Sequence, residues 1–193
     1  MALDANSTFI PGRGTVFVAA PDTVFPDYKT IKPEDPTTYT GWECLGHTSR
    51  ENTVELTVDG GEAETKGSWW SPNLRTTRTP RVFGGSVKSL QMDQTTLELA
   101  FPGGRVENGA FIVPSNAGDV EKAIFILSED QTGDRMGIGI YRASLSLADA
   151  PTFDVENFFE VPLGWQTLDS TKHPGDAQAW FHPALNAAVS PGA

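Results

Sequence analysis

The chain has 193 residues, about one ordinary domain, and its 25 acidic against 14 basic residues give a formal net charge of -11. That balance argues against a conventional nucleic-acid binder, whose phosphate contacts need clustered lysine and arginine. A single cysteine, Cys44, excludes an internal disulfide framework, and no run approaches about 18 consecutive apolar residues. Residues 1–6 lack the basic start and apolar run of a secretory leader, which predicts a soluble protein made in the cytoplasm.

In chain order, strand patterns occupy 15–20, 42–47, 53–59, 62–68, 81–90, 105–113, 120–129 and 136–147, and Gly, Pro, Asn and Asp separate nearly all of them. Short strands at such spacing predict a mainly β fold, an antiparallel β-sandwich, because a parallel sheet needs a long helix between successive strands. One short flanking helix is predicted over about 93–101. Asp93 is its N-cap, Leu97 and Phe101 share a face, and Pro102-Gly103-Gly104 ends it.

Two stretches read as irregular: 21–41, with Pro21, Pro26, Pro33 and Pro36, and a C-terminal extension or arm at 173–193 that follows a single domain at 1–172. A loop as long as 21–41 is uncommon in a compact domain unless something orders it, and a neighbouring subunit is the simplest agent. The extension reads either as a disordered tail or as a docked arm; Trp180 and Phe181 weigh toward docking and are, with Arg75, Arg78 and Arg81, candidate contacts to a neighbouring subunit.

The most informative stretch is 53–68. Polar and apolar residues alternate on both sides of Gly60-Gly61, which reads as a two-residue hairpin turn pairing Asp59 with Glu62, Thr57 with Glu64, Glu55 with Lys66 and Thr53 with Ser68. One face of that hairpin is polar and mostly acid, and Asp59 opposite Glu62 costs up to roughly 1 kcal/mol. Just beyond it, residues 69–84 hold Arg75, Arg78 and Arg81 and no acid, a stretch suited to meeting an acidic surface on another chain.

No chemistry assembles around these features. His47, His173 and His182 have no metal-ligand spacing, Ser86 lacks a nucleophile elbow, and Gly84-Gly85 and Gly137-x-Gly139 read as structural glycines. Residues 128–134 match a calcium loop in composition only and read as a polar hairpin turn. Glu55, Glu62 and Glu64 invite comparison with glycosidase carboxylate pairs. A face shared with Thr53, Thr57, Lys66 and Ser68 stays wet, however, and leaves carboxylates ionised, so no catalytic, cofactor or metal site is predicted. A glycan-binding sandwich using Trp69, Trp70, Trp165 and Trp180 is an alternative. Adjacent Trp69 and Trp70 on one strand point to opposite faces, leaving at most one as a platform while the other packs, and Trp42 reads as core.

The order of motifs resembles the major tail proteins, the tail tube subunits of long-tailed bacteriophages. The resemblance rests on Leu45-Gly46-His47-Thr48-Ser49-Arg50-Glu51-Asn52, the acidic strands, Trp69-Trp70, Asn73-Leu74-Arg75-Thr76, and a strand followed by a short helix near Phe101. It covers about 42–101, and Gln91-Met92 stands where that family often has a glutamate before the helix. The resemblance implies a sandwich-like virion subunit without an active site or cofactor. It implies hexameric rings stacked into a tube, other tail proteins such as tape measure and terminator as partners, no membrane, and DNA passing through the lumen without specific binding. Two placements of the hairpin stay open. Glu55, Asp59, Glu62 and Glu64 with Lys66 carry -4 + 1 = -3 per subunit and suit a lumen wall that repels phosphate, or they meet Arg75, Arg78 or Arg81 of a neighbour at a ring junction. Another virion component, a tail terminator or a capsid decoration protein, is the remaining alternative.

Overall fold

A computed structural model of the protein describes residues 8–116 and 118–186; the reading of 1–6 and the last part of the extension, 187–193, lie outside the described residues. Among the described residues, twelve strands run in order as β1 (Arg13–Ala19), β2 (Trp42–Cys44), β3 (Glu55–Gly60), β4 (Ala63–Lys66), β5 (Arg75–Arg78), β6 (Arg81–Ser89), β7 (Arg105–Glu107), β8 (Ala110–Ile112), β9 (Val120–Glu129), β10 (Arg135–Leu147), β11 (Val161–Thr167) and β12 (Gln178–Phe181). One α-helix, α1 (Gln94–Ala100), lies between β6 and β7. The main sheet has the order β2-β1-β9-β10-β11-β6-β3, with β12 added on β10, and every pairing is antiparallel.

The longest strand, β10, turns this sheet into a sandwich-like fold. Its register against β9 shifts between Ile140 and Ala143. Before the shift its other edge pairs with β12, and after it with β11. A bulge of this kind bends a strand and raises its twist, so β11 and β6 curl back over β1 and β9. The enclosed core joins Val16 and Val18 of β1, Ile124 and Ile126 of β9, Val87 of β6, Leu163 and Trp165 of β11, and Leu99 and Ala100 of α1. Asp93 caps α1 by accepting from Thr96 N at 2.8 Å, as its sequence predicts, and Phe101 ends it.

A second core lies on the opposite face of β1 and β9. Phe17, Ala123, Phe125 and Leu127 pack there against Tyr28, Ile31, Tyr39 and Trp42. This corrects the expectation for 21–41: the segment is held by its own subunit's sheet, with Ile31 wholly buried and the Trp42 indole N–H donating to Val24 O at 3.0 Å. Covered on both faces, β1 reads as an unbroken apolar run, Val16-Phe17-Val18-Ala19, rather than an alternation. Gly139 makes room for this layer, since a Cβ there would sit 2.6 Å from the Phe25 ring.

The predicted extension also contributes to the fold. Within it, β12 pairs with β10, and Phe181 packs against Phe25, Tyr28 and Phe125 of the second core. A strained anchor precedes β12: buried Asp22, at φ 60°, accepts from Ser170 Oγ at 2.5 Å and from Thr171 Oγ1 at 2.7 Å. The predicted strand at 105–113 is two, β7 and β8, folded back at Asn108 and Gly109, both with positive φ.

Candidate functional site

The hairpin predicted at Gly60-Gly61 does not form. Strand β3 pairs with β6, Glu55 opposite Ser86 through Gly60 opposite Arg81, and β4 pairs with β5, Ala63 opposite Arg78 through Lys66 opposite Arg75. Both pairings obey one register, because 55 + 86, 60 + 81, 63 + 78 and 66 + 75 all equal 141. Residues 55–66 and 75–86 are therefore a single long ribbon with a break in the middle. At the break, Gly60 and Gly61 both have φ 76°, with Gly60 still opposite Arg81 and Gly61 across from Pro80. Pro80 has no N–H to give to a ladder, and Thr79 restores the pairing by donating its N–H to Glu62 O at 3.1 Å while its Oγ1 accepts from Glu62 N at 3.1 Å. The ribbon turns instead at 67–74, where Ser68 N donates to Ser71 O at 2.7 Å and Leu74 N to Lys66 O at 3.0 Å.

This re-pairing redistributes the predicted site residues. Asp59 lies opposite Val82 and Glu62 opposite Thr79, so the like-charge contact expected between them is absent. Glu55 faces Ser86, and Glu64 faces Thr77 with Lys66 3.7 Å away on its own strand, a pair so exposed that it contributes little. Arg75, Arg78 and Arg81 sit on the returning side of the same ribbon. Residues 55–86 therefore hold four acids and four bases and are neutral overall, -4 + 4 = 0, rather than forming an acidic face of -3. Trp180 is half exposed on β12, and Phe181 belongs to its own subunit's core.

The ribbon projects. Every residue of β3, β4 and β5 is exposed, including Val58. From Gly84, the last residue of β6 paired with β11, to Arg75 near the tip it runs about 30 Å at about 3.3 Å per residue. Both tip tryptophans stand in solvent, Trp69 at 107% and Trp70 at 99% relative exposure, so neither packs, contrary to the strand-based reading. A two-stranded ribbon without a third strand or a packed face is marginal in water. Its shape is that of an arm awaiting a surface.

Sequence reasoning passed over a second exposed apolar site, the loop between β10 and β11. Phe153, Val155 and Phe158 are 93%, 102% and 80% exposed. The loop is nonetheless ordered: the Phe153 and Phe159 rings lie 4.9 Å apart, and Asp154 accepts from Glu156 N and Asn157 Nδ2. Three large apolar residues in a stretch without lysine or arginine were the signal.

Elsewhere the polar groups serve the fold. Glu129 accepts from both Arg13 and Arg135, whose hydrogen bonds hold its carboxyl below the usual glutamate range despite partial burial. Arg135 also donates to Ile31 O at 2.6 Å and so ties 21–41 to β10. The cleft of about 460 Å³ beside β1 is lined by these paired charges with Cys44 and His47. The turn at 128–134 is organised by Asp130 Oδ1, which accepts from Thr132 N and Asp134 N. Among the described residues, no group of three or more His, Cys, Asp or Glu is placed to hold a metal, and no helix is long and apolar enough to cross a membrane.

A mainly antiparallel β domain with a core on both faces of its sheet, a projecting two-stranded ribbon and a separate exposed aromatic loop has the form of a structural protein. Comparison with known proteins makes this specific. The model of the phage tail tube protein family matches residues 1–191. The major tail protein Gp23 of Mycobacterium phage D29 is 33% identical over 178 residues, and that of Mycobacterium phage L5 is 34% identical over 179, each alignment covering 88% of both chains. The chain belongs to the phage tail tube protein family and is a structural component of the virion tail.

Proposed function

We propose that the chain forms six-membered rings that stack into the tail tube, and that the 55–86 ribbon is the strut joining each subunit to another. The observation that carries this reading is the ribbon itself: about 30 Å of two-stranded arm beyond the main sheet, with two fully exposed tryptophans at its end. Arg75, Arg78 and Arg81 act as contacts to a neighbouring subunit, and Glu55, Asp59, Glu62 and Glu64 belong to the same junction, interleaved with those arginines. The field facing the DNA then comes from the whole ring. Six subunits of -11 each carry 6 × -11 = -66, enough to discourage phosphate adhesion without any dedicated acidic hairpin. DNA passes through the lumen without specific binding, a tape measure protein and a terminator meet the tube inside and at its end, and the chain turns over no substrate. It is made in the host cytoplasm and resides in the virion tail.

Negative-stain microscopy of the purified chain, incubated with the proteins that initiate its tail, tests this. The reading requires tubes with a central channel and sixfold end views. Rings of another order, or particles that add no subunits in the presence of initiator, would overturn it.

A further inference from the structure

The exposed tip of the ribbon and the exposed β10–β11 loop are complementary in charge. From residue 65 to residue 92 there are Lys66, Arg75, Arg78, Arg81 and Lys88 and no acid. From residue 143 to residue 171 there are Asp149, Asp154, Glu156, Glu160 and Asp169 and no base. Each stretch sets its charges around exposed aromatics, Trp69 and Trp70 in the first, Phe153 and Phe158 in the second. Large apolar side chains ringed by opposite charges on two surfaces are the makings of a buried anchor with a polar rim.

One chain cannot bring the two together. Val161, which directly follows the loop, pairs with Ser89 at the base of the ribbon, and Glu160 is fixed there by Lys88 at 3.0 Å and by Asn52. The tip lies at the far end of the ribbon, roughly 45 Å away if the arm is straight. The complementary surfaces therefore sit at opposite ends of the ribbon. A contact between them is head-to-tail, and a head-to-tail contact repeats from copy to copy without using itself up.

We infer that the aromatic tip of the ribbon, residues 66–75, docks on the β10–β11 loop, residues 149–160, of a second copy of this chain. This rests on the proposed tube and names the surface that receives the strut. Trp69 and Trp70 pack against Phe153 and Phe158, while Lys66, Arg75 and Arg78 face Asp154 and Glu156. Lys88 and Glu160 are already paired at the base and stay out of the contact.

Charge exchange tests the pairing in the full chain. All four side chains exchanged are exposed, and a melting curve of each unassembled variant checks that the domain is intact; because Asp154 also accepts from Glu156 N and Asn157 Nδ2, E156K alone, which keeps those bonds, must shift tube growth in the same direction as D154K with E156K. R75E with R78E, and separately D154K with E156K, should each raise the critical concentration for tube growth roughly tenfold or more at low salt, because like charges then face each other. The fourfold variant should return to within about threefold of the native chain. A second probe avoids charge: with S71C and N157C in one chain, mild oxidation of assembled tubes should give a ladder of linked subunits that neither single substitution gives. A fourfold variant no better than either double, or tubes without the ladder, overturns the inference while leaving the tube reading standing. Failure of the native chain to form tubes under the same conditions overturns both. Assembly in which the tip links to a different tail protein also overturns the inference.

Discussion

Replacing Trp70 by alanine separates the work of the arm from that of the fold. Trp70 is 99% exposed in the single subunit and makes no contact that the domain's stability could use. Its loss should therefore change unfolding by less than about 0.5 kcal/mol, as for surface substitutions generally. For a domain of this size that is a melting shift of about 1–2 °C. Assembly should respond very differently. A tryptophan side chain offers on the order of 150–250 Å², worth up to roughly 4–6 kcal/mol at about 25 cal/mol per Å² if fully covered. Truncation of aromatic anchors at interfaces commonly costs about 2–4 kcal/mol. Because each 1.4 kcal/mol is about tenfold, the critical concentration for tube growth should rise roughly 30- to 1,000-fold. Thermal melting of the monomer together with turbidity or sedimentation of the growing tube measures both quantities. A melting point lowered by more than about 4 °C, or tube growth at the native concentration, would refute the division of labour argued from exposure.

Two further substitutions probe what holds the arm's platform together. Gly139→Val places carbon within 2.6 Å of the Phe25 ring, which is hemmed in by Trp42, Phe125, Tyr141 and Phe181, so the ring has nowhere to go. Overpacking of this kind costs about 1–3 kcal/mol and should lower the melting temperature by roughly 3–10 °C; an unchanged melt would contradict the packing described for 21–41. Asp22→Asn keeps a residue that tolerates the positive φ and removes the charge together with one of the two acceptor oxygens used by Ser170 and Thr171. Hydrogen bonds from Ser170 and then Thr171 hold the Asp22 carboxyl below its ordinary 3.8 despite its burial. Its stabilising contribution is therefore complete above about pH 4 and fades as pH falls through the lower folded value. The variant should melt lower than the native chain at pH 7, with the gap closing below pH 4; a gap constant down to pH 3 would show that the charge is not what matters.

Much of this was legible in the sequence where local signals and long-range pairing agree. Strand β9 has its predicted bounds, β10 differs by one residue at its start, and α1 begins after its Asp93 cap. The ribbon was misread because Gly60-Gly61 carries the turn's own signature: both glycines do adopt positive φ, yet they kink a strand instead of reversing it. The competing clue was Pro80, whose missing N–H calls for a gap in the opposite strand, and Ser71-Pro72-Asn73, which supplies the true reversal. Asn108-Gly109, the strongest short hairpin signal in the chain, was passed over inside an apparently continuous run. Strand β11 was missed because Pro162 and Gly164 argue against a strand, although its buried side chains Val161, Leu163 and Trp165 close the main core. The exposed aromatic loop escaped notice because apolar residues in a sequence are first assigned to the interior, and only the fold shows which ones the interior leaves out.

If the 55–86 ribbon is a strut between subunits, the assembled tube must show it reaching from one copy to another. A cryo-EM reconstruction of the assembled tube at side-chain resolution measures it directly. The expected result is sixfold rings in which every ribbon leaves its own subunit and its Trp69-Trp70 tip is covered by another copy. Ribbons folded back on their own domain, or tips left in solvent with the tube intact, would contradict it.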